Sequence, residues 1–134
     1  MLGSSLISWQ CKKQACVALS NAEAEYIAAG SYCAQTLWLR HLLNDFGILL
    51  NIIPILCDNT SAINLTKNPI KHSRTKHIEI RHHFLREHIS NGTCEIKFIG
   101  TDLQLADLFT KPLAKDRFNF LLNELAIINI NCPL

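Results

Sequence analysis

Ile52-Ile53-Pro54-Ile55-Leu56-Cys57-Asp58-Asn59-Thr60 is the stretch on which the reading of the fold turns. A continuous apolar run this short, stopped abruptly by Asp58 and Asn59, has the length of a buried strand rather than of a core helix. Asn59 or Thr60 can then cap a short helix through residue 65, which Asn68-Pro69 would end. Downstream, residues 75–90 read as a further helix with Ile78, Phe84, Leu85 and Ile89 available for burial, closed by Asn91-Gly92. Cys94-Glu95-Ile96-Lys97-Phe98 alternates like a half-buried strand. Residues 106–111 read as helical up to Pro112, and 115–126 as an amphipathic helix burying Phe118, Leu121, Leu122 and Leu125.

Upstream, Ser20-Asn21-Ala22-Glu23 has the form of a capping box, with Ser20 as N-cap and Glu23 three residues on. The spacing predicts a long helix from there to about residue 44, with Gly47 beyond it. Its core stripe would be Ala22, Tyr26, Ala29, Cys33 and Leu37. Ser5-Leu6-Ile7-Ser8-Trp9 reads as a short strand near the start. Strands separated by helices predict an α/β layer fold.

The chain has 134 residues, which favours one domain. It is 49% apolar and only 18% charged, against about 25% charged in an ordinary soluble domain, and its mean hydropathy is +0.13. That balance excludes a wholly disordered chain. The longest apolar stretch, residues 48–57, is interrupted by Asn51 and Pro54 and falls far short of the ~20 residues a spanning helix needs, so no membrane partner is expected. No basic segment followed by an apolar core opens the chain, and the six cysteines contain no C-x-x-C. Reduced thiols in an intracellular protein, several of them acting as small buried hydrophobes, are therefore expected.

The net charge of +2 conceals a strong asymmetry. Between residues 67 and 88, Lys67, Lys71, Arg74, Lys76, Arg81 and Arg86 face only Glu79 and Glu87, a local excess of +4 that leaves −2 for the remainder. His72, His77, His82, His83 and His88 lie in the same window. Such a block suits a polyanion, because cations that displace condensed counterions supply most non-specific nucleic-acid affinity. A solvated helix face is the plain alternative. The histidines contain no i, i+4 pair of the kind that binds zinc on one helix face.

Three carboxylates stand where chemistry would place them. Asp58 follows a buried strand, at the carboxyl end where α/β sheets bind ligands, although an Asx turn would also explain it. Glu25 lies in the first turns of the long helix, beside its apolar stripe. Asp107 opens a later helix, where the helix dipole alone would favour it. Together, such carboxylates suit a hard divalent cation such as Mg²⁺, and a pair of such ions can drive phosphodiester hydrolysis.

Four stretches go further: Ser20-Asn21-Ala22-Glu23-Ala24-Glu25-Tyr26, Cys57-Asp58-Asn59-Thr60-Ser61-Ala62, Thr75-Lys76-His77-Ile78-Glu79-Ile80-Arg81-His82-His83-Phe84-Leu85-Arg86-Glu87 and Ala106-Asp107-Leu108-Phe109-Thr110-Lys111-Pro112-Leu113. In these words, their order and their spacing, the chain closely resembles the ribonuclease H region of copia-type LTR retrotransposon Pol polyproteins. Ser8-Trp9-Gln10-Cys11-Lys12-Lys13-Gln14 is similar to that family too, so the resemblance runs to about residue 124. It implies an RNase H-like three-layer α/β fold and Mg²⁺-dependent cleavage of the RNA strand of RNA–DNA hybrids during reverse transcription. Glu25, Asp58 and Asp107 match the family's catalytic, metal-binding carboxylates. Asn59 and Ser61 would lie near the hybrid, and Lys71, Arg74, Lys76, His77, Arg81 and Arg86 would contact its backbone. The setting implied is intracellular, either cytoplasmic within a virus-like particle or nuclear.

The resemblance also has gaps. The family's first catalytic aspartate lies upstream of the Ser8-Trp9 motif, whereas no acidic residue precedes Glu23 here, and residues 101–106 carry no counterpart of its loop histidine. The expectation is therefore a truncated fold without its first two strands, organised as a partial domain over residues 1–126 and a tail over 127–134. Such a chain would be weak or inactive alone, with an upstream Pol segment as the source of the missing strands. A non-catalytic nucleic-acid-binding remnant and a non-functional relic are the alternatives. Residues 6–7 and 52–56 would then be exposed, aggregation-prone edges.

Overall fold

The computed structural model describes residues 1–14, 17–67 and 76–128, with the backbone alone for 76–82. The chain divides into two compact units, Gln14–Gly100, and Met1–Lys13 together with Thr101–Leu134.

The Gln14–Gly100 unit is a small α/β arrangement. Helix α1 (Asn21–Asp45) is followed by strand β1 (Ile53–Cys57), helices α2 (Thr60–Lys67) and α3 (Lys76–Ser90), and strand β2 (Cys94–Phe98). β1 and β2 pair in parallel, in a register running from Ile53 opposite Cys94 to Cys57 opposite Phe98. Parallel neighbours need a long crossover, and α2 and α3 fill it.

The capping box forms at α1 with a modification. Ser20 Oγ accepts from the Glu23 backbone N–H at 3.1 Å, while the Glu23 carboxylate reaches one residue further back than expected, to the Leu19 N–H. At its other end Gly47 adopts φ +76°, and the Gly47 and Ile48 N–H groups turn back onto the carbonyls of Asn44 and Leu43. Gly92, at φ +68°, closes α3 in the same way onto Ile89 and His88. Only a left-handed residue permits this double return, which is why glycine ends both helices.

The core of this unit gathers Tyr26, Ala29 and Cys33 from α1, Ile53 and Ile55 from β1, Leu85 from α3 and Cys94 from β2. Burying a large apolar side chain of this kind stabilises by about 1.5–3 kcal/mol. The expected α1 stripe is thus buried at its centre, with Ala22 and Leu37 at its half-buried ends. On β1, Ile53 and Ile55 are buried, while Leu56 on the opposite face is 47% exposed; among the described residues the strand pairs with β2 alone. The apolar surplus in the composition surfaces elsewhere: Leu19, Trp38, Phe46 and Leu49 are all well exposed.

The second unit contains a short 3₁₀ turn (Thr101–Leu103) and helices α4 (Asp107–Thr110) and α5 (Lys115–Glu124). Leu121 of α5 and Leu125, its C-cap, are buried, whereas Phe118, expected to be buried with them, is exposed. The Trp9 and Phe109 rings stack with centroids 5.6 Å apart. The strand expected over residues 5–9 does not form; only an isolated bridge between Leu2 and Ser5 is present there. A strand needs a hydrogen-bonding neighbour, and the described residues of this unit include no other strand. Among the described residues of the chain, no helix is long and apolar enough to cross a membrane.

Candidate functional site

Glu25 and Asp58, from different elements, both lie close enough to Cys57 for their charges to act on its thiol. Glu25 is one turn inside α1, whose start is fixed by the Ser20 cap, and Asp58 is the first residue after β1. The Cys57 thiol is buried at the carboxyl end of the parallel pair. Burial pushes this thiol above its ordinary value, against a lowering hydrogen bond with the Asn59 backbone, and the negative charges of Glu25 and Asp58 push it up further. Both carboxylates thus act on one sulfur. Both are also half-buried, which weakens screening by solvent.

Asn59 has a structural task at this point. Its side-chain oxygen accepts from the Ala62 N–H at 3.0 Å, and its backbone carbonyl accepts from Ile63, so it caps α2. Ser61 follows in the exposed first turn of that helix. The β1 terminus therefore leads through Asp58 and Asn59 directly into the α2 N-terminus, whose orphan N–H groups add partial positive charge there.

Asp107 belongs to the other unit and is differently arranged. It is 3% exposed, and its two oxygens are taken by two cations: Lys111 Nζ at 2.8 Å from one and Arg117 at 2.7 Å from the other. Arg117 also donates to the Thr101 carbonyl, tying α5 to the 3₁₀ turn. The Asp107–Lys111 contact follows from their i, i+4 spacing. Arg117 could not have been paired with Asp107 from sequence, because it lies beyond the Pro112 break.

Of the basic block, Lys71 and Arg74 fall outside the described residues, and only the backbone of Lys76, His77 and Arg81 is described, in the first turns of α3. Arg86 turns inward: its guanidinium donates to the Leu65 carbonyl at 3.0 Å and its charge lowers the Tyr26 hydroxyl, although burial raises that group overall. His83 is exposed, and the His88 ring packs edge-on against Phe84 at 4.5 Å.

The donor chemistry of Glu25 and Asp58, one carboxylate from the start of a helix and one from the end of a strand, fits a hard cation, which commonly uses one or two carboxylates and completes its shell with water or phosphate. Asp107 does not fit that part as it stands, because Lys111 and Arg117 already occupy both oxygens. Within each unit, the described residues include no group of three or more His, Cys, Asp or Glu that could enclose a metal ion.

Comparison with known proteins supplies the relationship. No protein-family profile matches the chain, and no solved structure matches it. The retrovirus-related Pol polyprotein from transposon TNT 1-94 of Nicotiana tabacum is 42% identical over 112 residues, covering 84% of this chain and 8% of that protein. The Pol polyprotein from transposon RE1 of Arabidopsis thaliana is 38% identical over 130 residues, covering 96% of this chain and 9% of its own length. The Gag-Pol polyprotein of transposon Ty1-NL2 of Saccharomyces cerevisiae is 26% identical over 125 residues, 92% of this chain and 7% of its own. The chain therefore spans less than a tenth of the length of these relatives. Across most of its length it is homologous to a segment of copia-type retrovirus-related Pol polyproteins.

Proposed function

We propose that the chain is a segment of the ribonuclease H domain of such a polyprotein, with an RNase H-like fold, and that it contributes to Mg²⁺-dependent hydrolysis of RNA in RNA–DNA hybrids. The observation that carries this reading is that the charges of Glu25, from the start of α1, and Asp58, from the end of β1, both act on one buried thiol at the carboxyl end of a parallel strand pair. The four sequence motifs, in register with the resemblance, support it from the other side.

Glu25 and Asp58 would hold the cation, and a bound divalent ion supplies the positive charge that phosphodiester hydrolysis requires. The chain's own contribution is positional. The Ser20 cap fixes the start of α1, the Asn59 cap fixes the turn after β1, and both carboxylates inherit their placement from these caps. The basic N-terminal part of α3, with Lys76, His77 and Arg81, supplies backbone-contacting charge for the nucleic acid. The 134-residue polypeptide has no acidic residue before Glu23, so it supplies only part of a two-ion carboxylate set and does not turn over by itself.

The test is fluorescence anisotropy of a labelled RNA–DNA hybrid titrated with the 134-residue chain, with and without Mg²⁺, alongside a gel assay for RNA cleavage. The expected result is binding that Mg²⁺ strengthens several-fold, a Mg²⁺ effect lost in Glu25→Gln and Asp58→Asn, and no cleavage. Binding indifferent to Mg²⁺ and to both substitutions would overturn the cation site in favour of a purely basic nucleic-acid-binding segment. Cleavage abolished by Asp58→Asn would overturn the claim that the chain is inactive alone.

A further inference from the structure

Two thiols that the carboxylate site does not use meet inside the core of the Gln14–Gly100 unit. Cys33, in the middle of α1, and Cys94, the first residue of β2, are separated by 61 positions in sequence, yet their sulfurs lie 3.5 Å apart. They are 0% and 2% exposed and sit among Tyr26, Ile53, Ile55 and Leu85. At that distance the sulfurs are already in contact, and a bond requires them to close by about 1.5 Å, to the roughly 2.05 Å of a disulfide.

We propose that Cys33 and Cys94 form a redox-active dithiol that closes to a disulfide, fastening α1 to β2. The oxidant is a small disulfide of the oxidised-glutathione class. One cysteine, on losing its proton, attacks a sulfur of the oxidant and expels one glutathione thiolate. The second cysteine, deprotonated in turn, attacks the mixed disulfide and expels the other. The two cysteines together lose two protons and two electrons, and one oxidised glutathione becomes two reduced ones.

The surroundings determine how this dithiol behaves. Desolvation, reinforced by the hydrogen bond and the charge shared with Cys94, pushes the Cys33 thiol up to about 12. At neutral pH it is therefore protonated and unreactive while the unit is closed, because only the thiolate attacks. Exchange proceeds through local opening of the core, so the bond forms slowly and, once formed, is equally protected from reductants. Cys11, which is exposed, has no such protection and is expected to take up glutathione adducts first. The cross-link encloses a long loop that contains β1 and α2, so it restricts the unfolded chain strongly and shifts denaturation to higher denaturant.

The experiment equilibrates the full 134-residue chain in mixtures of oxidised and reduced glutathione, quenches with acid, blocks remaining thiols with N-ethylmaleimide in denaturant and maps peptides by mass spectrometry. The expected result is that Cys33 and Cys94 leave the alkylated pool together, in equal amounts, with one linked peptide pair. The pair persists in Cys11→Ala and vanishes in Cys94→Ala. Should Cys94→Ala not fold, mapping of the unsubstituted chain decides by itself. Full alkylation of both cysteines after Cys11 has been consumed, or linkage of Cys33 to a different cysteine, overturns the proposal.

Discussion

Replacing Asp107 by alanine distinguishes a carboxylate that holds its unit together from one kept available for a cation. The substitution removes the acceptor of two ion pairs at 2.8 and 2.7 Å and leaves Lys111 and Arg117 without it. Breaking a fully buried pair costs about 3–5 kcal/mol, whereas an exposed pair is worth about 0–1 kcal/mol. The present case falls between these limits. The Asp107 side chain is 4% exposed, but those of Lys111 and Arg117 are 45% and 29% exposed and regain hydration once the carboxylate is gone. The expected loss is therefore about 2 kcal/mol, or roughly thirtyfold in the opening equilibrium. Native-state hydrogen exchange followed by mass spectrometry reads this locally: amides of α5, including that of Leu125, should exchange about thirtyfold faster in Asp107→Ala. Lys111→Ala should cost less than the aspartate substitution, because Arg117 keeps its hold on both the carboxylate and the Thr101 carbonyl. Exchange in α5 unchanged within twofold in Asp107→Ala would refute the clamp.

Three further outcomes follow from the same structure. The raised Cys33 thiol stabilises the Gln14–Gly100 unit fully below its ordinary pKa of 9.0, and that contribution is lost as pH rises towards about 12. The unfolding free energy from urea titrations should fall across this range with a slope of up to about 1.4 kcal/mol per pH unit, and Cys33→Ala should flatten the curve. Ala126 ends α5 at φ 53°, a left-handed conformation in which a Cβ is strained, so Ala126→Gly should stabilise by about 0.5–1 kcal/mol in thermal denaturation. Ser20→Ala removes the acceptor for the Glu23 N–H and should cost about 1 kcal/mol, seen as faster exchange in the first turn of α1, where Glu25 sits.

The parts legible in the sequence were those governed by local chemistry. Ser20 and Glu23 announced the start of α1, Gly47 and Gly92 its end and that of α3, and the apolar run to Cys57 announced β1. Residues 5–9 have the composition of a strand, but a strand is made by its neighbour, and the local sequence carries no information about whether one is present. The candidate site divides along the same line. The positions of Glu25 in a capped helix start and of Asp58 just after a strand were legible because both are local features. The engagement of Asp107 by Arg117, the inward turn of Arg86 to Leu65 and the meeting of Cys33 with Cys94 were not, since each depends on tertiary packing across a turn or an entire crossover. The apolar surplus was legible in amount but only partly in position: Ile52 and Leu56 are exposed, and so are Trp38, Phe46 and Leu49, which nothing local in the sequence singles out.

The cation site proposed for Glu25 and Asp58 is open to direct observation. Paramagnetic broadening of backbone amide signals by Mn²⁺, added to the ¹⁵N-labelled chain, tests it most directly. Broadening is expected to centre on residues 25–26 and 57–59, to be reversed by excess Mg²⁺ and to be lost in Asp58→Asn. Broadening centred elsewhere, or unchanged by Asp58→Asn, would contradict it.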